Sequence, residues 1–213
     1  MGSDSRAAEQ RVKWVYGAAS AGQSRDRYDE WAPHYERDLL DTYGYRLPDA
    51  IAAHFTRWVT APAHVLDAGV GTGLVGARLA DRGFTDLVGL DNSSAMLQES
   101  ARKGLYGELH HMTLGEPLGF ESNSFDAVVS AGTFTEGHAP ASGLRELVRV
   151  TRPGGHVVVG IRPDIIDSHG FRAVIDELVA GGAWELLERT EPYVAMEKVE
   201  SHVLVETWCF RIL

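Results

Sequence analysis

The sequence predicts an α/β fold with a largely parallel sheet and helices on both faces. Three observations carry this prediction. From His64 onward, short apolar runs alternate with segments of helical periodicity, the pattern of repeated strand–helix–strand units. Gly69, Gly71, Gly73 and Gly76 cluster where the first of these strands passes into a helix, where a tight turn and a helix N-terminus meet. Near the C-terminus, "AWELLERTEPYV" and "ESHVLVETWCFRI" read as two strands. Their connection is too short for a crossover, so they must run antiparallel.

The elements follow in order. Residues 1–23 are polar and rich in small side chains and are expected to form a flexible N-terminal segment. Residues 24–60 are expected to form lid helices. Tyr28, Trp31, Tyr35 and Leu39 recur at spacings of three and four, giving one helical face an aromatic stripe. Pro33 predicts a break near Ala32. Ile51, Phe55 and Trp58 mark a second helix with Pro48 in its first turn. Residues 61–213 form the core of what reads as one domain. "HVLDA" and "DLVGLD" are strands, and 72–81 is a helix with Leu74, Ala77 and Leu79 inward. A helix over 93–103 is capped by Asn92 or Ser93. "GELHHMT" is a weaker strand; "SFDAVVSA" and "GGHVVVGI" are buried ones, separated by the helical "LRELVRV". Phe171, Val174, Ile175, Leu178 and Val179 give a further helix, ended by Gly181 and Gly182.

Composition narrows the function. The chain has 213 residues, a net charge of -10 and no run of Lys or Arg. Such a surface repels phosphate backbones, so nucleic acid is not expected as a partner. No stretch is apolar enough for a membrane span or a signal peptide, so no membrane partner is expected. The single cysteine, Cys209, cannot form an internal disulfide. A cytoplasmic, intracellular location fits. His110 and His111 read as strand residues with nothing nearby to complete a metal site, so no metal is expected.

Gly71 to Gly76 fits the pattern G-x-G-x-x-G, and Asp91 lies twenty residues beyond Gly71. That spacing suits a dinucleotide, with the acid on the ribose. Asp67, two residues before Gly69, speaks against it. A buried carboxylate beside a pyrophosphate meets like charge at short range. Next to a cationic, phosphate-free ligand the sign reverses, and S-adenosylmethionine carries both a sulfonium and an ammonium. Asp91 serves either ligand. Met96, one turn into the next helix, can pack on an adenine face.

"VLDAGVGTG", "GLDNSSAML", "FDAVVSA" and "VTRPGGHVVV" together resemble the successive motifs of class I S-adenosylmethionine-dependent methyltransferases. Within that family, "RYDEWAPHYERDL", "LDNSSAMLQESARKGLY" and "MTLGEPL" are most similar to the methyltransferase-like proteins of the Williams–Beuren syndrome chromosome region. The resemblance implies a Rossmann-like, seven-stranded, mostly parallel sheet whose last strand is antiparallel. It implies S-adenosylmethionine as cofactor and S-adenosylhomocysteine as product. Asp67, Gly69, Gly71, Thr72 and Gly73 would form the methionine-side loop, and Asp91 would bind the ribose. Asn92 and Met96 would flank the adenine. Thr113 and Leu114 stand where the family usually places an Asp or Asn on the adenine amino group, which is a departure. Ser130 and Ala131 would lie beneath the sulfonium. Tyr28 and Tyr35 match lid aromatics, and Arg46 would pair with the methionine carboxylate.

Glu136 and His138, in the loop "AGTFTEGHAP", are the candidate catalytic bases. The family's signature for exocyclic amines of bases or glutamine is replaced by Ser130-Ala131-Gly132-Thr133-Phe134. The expected acceptor is therefore a small molecule with a nucleophilic oxygen, nitrogen or sulfur. Its pocket would form between the lid helices, the Glu136 loop and residues 160–169. Three rivals remain: an NAD(P) dehydrogenase, disfavoured by Asp67 and the C-terminal hairpin; a protein that binds S-adenosylmethionine without methyl transfer; and a protein methyltransferase. The sequence leaves monomer and dimer undecided.

Overall fold

The computed structural model describes residues 3–135, 137–200 and 202–213. Seven strands form one continuous path: β1 (His64–Ala68), β2 (Asp86–Asp91), β3 (Glu108–His111), β4 (Phe125–Phe134), β5 (Thr151–Ile161), β6 (Trp184–Arg189) and β8 (Leu204–Ile212). Their order is β3-β2-β1-β4-β5-β8-β6. The first five pair in parallel, and β8 runs antiparallel to both β5 and β6. A two-residue strand, β7 (Tyr193–Val194), adds to the end of β8. The hairpin expected at the C-terminus is thus present, with β8 wedged between β5 and β6.

Alternation along each central strand divides the core. On β4, Val128 faces one side, while Ala127 and Val129 face the other; on β5, Val157 and Val159 oppose Val158. One face takes α6 (Gly143–Val150) through Leu144, Leu147 and Val150, and α7 (Phe171–Ala180) through Phe171, Val174 and Ile175. Val179, expected on the inward face of α7, is 44% exposed, because the packed stripe runs through Phe171, Val174, Ile175 and Leu178 and leaves Val179 beside it. The other face takes α3 (Leu47–Trp58) and α4 (Leu74–Ala80) with the N-terminal helices.

The N-terminus departs from expectation. Where 1–23 reads as a flexible segment, Ser3–Tyr16 is a helix, α1. Ala8, Val12 and Val15 are all buried at spacings of four and three, a helical stripe diluted by the polar residues between. Arg11 clamps Asp38 with bonds of 2.6 and 2.8 Å, and Trp31 Nε1 donates to the same carboxylate at 3.0 Å. Despite its burial, these donors hold Asp38 below its usual pKa. They tie α1 to α2 (Ala21–Trp31) and to a stretch of π-helix, Arg37–Tyr43. The break expected at Pro33 is a single turn of 3-10 helix, Ala32–His34.

The parallel strands run outward from β1 to β3 and then restart at β4. The carboxyl ends of β1 and β4 therefore flank a topological switch point, where open α/β sheets hold ligands.

Candidate functional site

The turn after β1 is built on glycine. The Gly69 and Val70 amides donate to Leu90 O at 2.9 and 2.8 Å, tying the turn to the end of β2. Gly71 has φ +51°, and a Cβ added there would meet nothing within 4 Å, so its backbone lies bare to open space. Gly69, at φ +87°, touches β4 so closely that a Cβ would meet Thr133 Oγ1 at 2.0 Å. Asp91 faces this turn. Its Oδ2 accepts from the Gly71 amide at 2.8 Å, and its Oδ1 from the Ser93 amide at 2.9 Å. Burial raises its pKa, and the amides pull it back.

A cavity of about 310 Å³ opens above these residues. Tyr28, Tyr35, Gly69, Gly71, Asp91, Asn92, Met96, Thr113, Leu114, Ala131 and His138 line it, all candidates from the sequence. Ser24, Met112, Glu116, Gly132 and Gly137 line it too; they carry no periodic signal, and only the fold brings them there. No Lys or Arg is among the described residues that line it. A phosphate would find no counter-charge, whereas a ligand with hydroxyls and positive charge meets Asp91. The residues present therefore fit S-adenosylmethionine better than a dinucleotide.

Other candidates lie elsewhere. Asp67 does not line the cavity. It is 1% exposed, and its Oδ2 accepts from the Tyr106 hydroxyl at 2.7 Å. The expected direct charge contact with a ligand is therefore corrected: the carboxylate points behind the turn and supports it. Thr72 is buried with its hydroxyl unpartnered among the described residues, Gly73 caps α4 at φ +87°, and neither is among the residues lining the cavity. Ser130 is buried and donates to Ala68 O at 2.6 Å, which stitches β4 to β1. Arg46 lies on the surface, 62% exposed, and pairs with Glu197 at 3.1 Å. It is not a partner for a methionine carboxylate, because its place just before α3 aims the side chain outward. Glu136 lies outside the described residues.

Burial raises Asp67 from the ordinary 3.8 to about 7, against the pull of the Tyr106 hydroxyl. Between those pH values the folded chain holds a proton that the unfolded chain has released. Stability therefore falls as pH rises through this window. Asp67→Asn is expected to flatten that fall, so its melting temperature should gain on the parent between about pH 4 and about pH 7. A parallel pair of melting curves would refute the assignment.

His138 sits at the boundary of the cavity. Its Nε2 is 2.9 Å from the Tyr28 hydroxyl and its Nδ1 2.7 Å from Thr135 Oγ1. A second cavity of about 330 Å³ lies beyond it. Tyr28, Tyr35, Gly132 and Gly137 line both cavities. The lid that carries these tyrosines is latched to α5 (Ser94–Ala101). Asp29 accepts from Ser93 Oγ at 2.5 Å and from the Ala95 amide at 3.1 Å, and Glu36 pairs with Lys103.

The family model for the methyltransferase domain matches residues 66–159. Methyltransferase-like protein 27 of Homo sapiens is 37% identical over 182 residues, covering 82% of this chain and 74% of that protein. Among solved structures, an S-adenosylmethionine-dependent methyltransferase from Mesorhizobium loti superposes with a TM-score of 0.58 at 17% identity, covering 76% of this chain and 96% of the other. The (4+2)-cyclase SpnF superposes with a TM-score of 0.67 at 18% identity, covering 92% and 97%.

Proposed function

The chain belongs to the family of S-adenosylmethionine-dependent methyltransferases, and we propose that it transfers a methyl group to an oxygen, nitrogen or sulfur of a small-molecule acceptor. The observation that carries this reading is the pair of cavities that share Tyr28, Tyr35, Gly132 and Gly137 as lining residues. The first suits the cofactor: Asp91 for the ribose hydroxyls, Met96, Thr113 and Leu114 around the adenine, and Gly69, Gly71 and Ala131 beside the methionine end. Bound there, S-adenosylmethionine supplies an electrophilic methyl group on a sulfonium and leaves as S-adenosylhomocysteine. The second cavity, about 330 Å³ and walled on one side by the lid, suits a compact acceptor rather than a folded polypeptide.

The protein's part is to orient the acceptor and exclude water, which in favourable cases lowers a barrier by roughly 7–11 kcal/mol. Where the acceptor arrives protonated, Tyr28 and His138 offer a proton route. In the tautomer in which Nδ1–H donates to Thr135 Oγ1, Nε2 accepts from the Tyr28 hydroxyl. An acceptor proton can then pass to Tyr28 Oη as the Tyr28 proton moves to Nε2. Burial holds the Tyr28 phenol well above its usual pKa, so Tyr28 relays a proton and does not act as a phenolate. No helix among the described residues is long and apolar enough to cross a membrane.

Calorimetry of ligand-stripped protein tests the reading. S-adenosylmethionine and S-adenosylhomocysteine are expected to bind in the micromolar range and NAD not at all. Binding of NAD alone would overturn it. The fold is shared with a protein named as a cyclase, so release of S-adenosylhomocysteine in the presence of candidate acceptors is the second measurement. Binding without turnover across a broad set of acceptors would favour a reaction other than methyl transfer.

A further inference from the structure

The second cavity has a chemistry of its own. Its walls are apolar, from Leu39 and Leu47 on the lid side to Met196, Val203 and Val205 on the C-terminal hairpin. The hairpin is fixed to the lid: Arg46 N donates to Ala195 O at 2.9 Å, and Tyr45 bridges Met196. Into this apolar space point phenol rings. Tyr35 and Tyr45 line it, and neither hydroxyl has a hydrogen-bond partner among the described residues. A Cβ added to Gly132 would meet Tyr45 Oη at 3.0 Å, so that hydroxyl stands at the junction with the first cavity. Burial among neighbouring tyrosines pushes both phenols well above their usual range; they are neutral hydroxyls that donate and accept.

Charge completes the picture. In a chain of net charge -10, no Asp or Glu is among the described residues lining this cavity, and the one charged side chain among them is Arg162. Asp164 holds that guanidinium through Nε and Nη2 at 3.0 and 2.5 Å. Glu200 acts on Tyr16 through space but does not line the cavity. Among the described residues a protonated amine placed here would lose its water beside a guanidinium and meet no carboxylate, which is costly. An uncharged ring with an oxygen substituent loses little on burial and satisfies the waiting hydroxyls.

We propose that the acceptor is an uncharged, ring-sized apolar molecule bearing a phenol-type hydroxyl, seated between Leu39, Leu47, Met196 and Val205 and hydrogen-bonded by Tyr35 and Tyr45. This rests on reading the first cavity as the cofactor site. The test is calorimetry in two stages. S-adenosylhomocysteine is titrated first. Then 1-naphthol, 1-naphthoate and 1-naphthylmethylamine, alike in size and different in charge, are titrated into the loaded protein. The naphthol is expected to bind at least tenfold more tightly than the amine and more tightly than the naphthoate. Tyr45→Phe, at a residue that lines the second cavity and not the first, is expected to weaken naphthol about fivefold, one net hydrogen bond, and to leave S-adenosylhomocysteine within twofold. Amine binding equal to naphthol, tighter naphthoate binding, or no naphthol binding to the loaded protein overturns the acceptor class alone. Failure of S-adenosylhomocysteine to bind overturns the cofactor reading and this inference with it.

Discussion

Asp91→Ala is expected to weaken S-adenosylhomocysteine about a hundredfold. Two hydroxyls of a ribose would lose a carboxylate acceptor. Hydrogen bonds to charged groups contribute roughly 1.5–3 kcal/mol each, and two at the low end make about a hundredfold in affinity. Burial works against the carboxylate, and the amides that donate to both of its oxygens offset part of that cost. The same two amides lose their acceptor in the variant, so the Gly71 turn loosens as well. Asp91→Asn separates the effects. Its amide keeps one oxygen for a backbone donor but turns an N–H₂ toward the other. It should hold the turn better than alanine and still bind at least tenfold more weakly than the parent. Calorimetry with S-adenosylhomocysteine measures both variants, and a parent-like affinity in Asp91→Ala would remove Asp91 from the cofactor site. Hydroxyls are lost from the contact in either variant, so a ligand lacking the ribose hydroxyls should discriminate poorly between parent and variant.

Much of this arrangement was legible in the sequence because it depends on local pattern. Strand and helix periods placed β1 through β5, and the run from Gly69 to Asp91 placed the cavity floor. What was not legible depends on which way a buried side chain turns. Asp67 looked like a ligand carboxylate because it stands beside the glycines, yet its partner is Tyr106, 39 residues away. Arg46 looked like a free cation near the site, yet Glu197, 151 residues away, takes it at the surface. The helix at Ser3–Tyr16 was hidden because its stripe is only three small or medium apolar residues, and it gains its partner, Asp38, from a later segment. Part of the second cavity lies where the sequence predicts a pocket, since the lid, Thr135 and Gly137 beside Glu136, and Gly160 and Arg162 all line it. Its wall of Met196, Val203 and Val205 needed the C-terminal hairpin to meet the lid, and no window of sequence contains that meeting.

Gly76→Ala is expected to destabilise the fold by about 3 kcal/mol, against the usual direction for this exchange. In a helix interior alanine is favoured over glycine by roughly 1 kcal/mol, and Gly76 lies in α4 with nothing unusual in its backbone. Space decides the sign. An added Cβ would meet Tyr106 Oη at 2.0 Å and Cζ at 2.4 Å. The ring must move, and overpacking of this kind costs roughly 1–3 kcal/mol. Its hydroxyl then leaves Asp67, whose Oδ1 already has no partner, so a buried carboxyl loses its side-chain donor at a further cost of roughly 1–3 kcal/mol. The two penalties exceed the helical gain. For a chain of this size the melting temperature should fall by roughly 6–12 °C. The cause is isolated by repeating the exchange in a Tyr106→Leu background, where the obstructing hydroxyl and ring are gone. There Gly76→Ala should become neutral or stabilising, a coupling that a double-mutant cycle reads directly. An equal loss in both backgrounds would sink the account. The glycine that completes G-x-G-x-x-G is then explained in this chain by a tyrosine hydroxyl reaching across α4 to Asp67, and not by the approach of a phosphate.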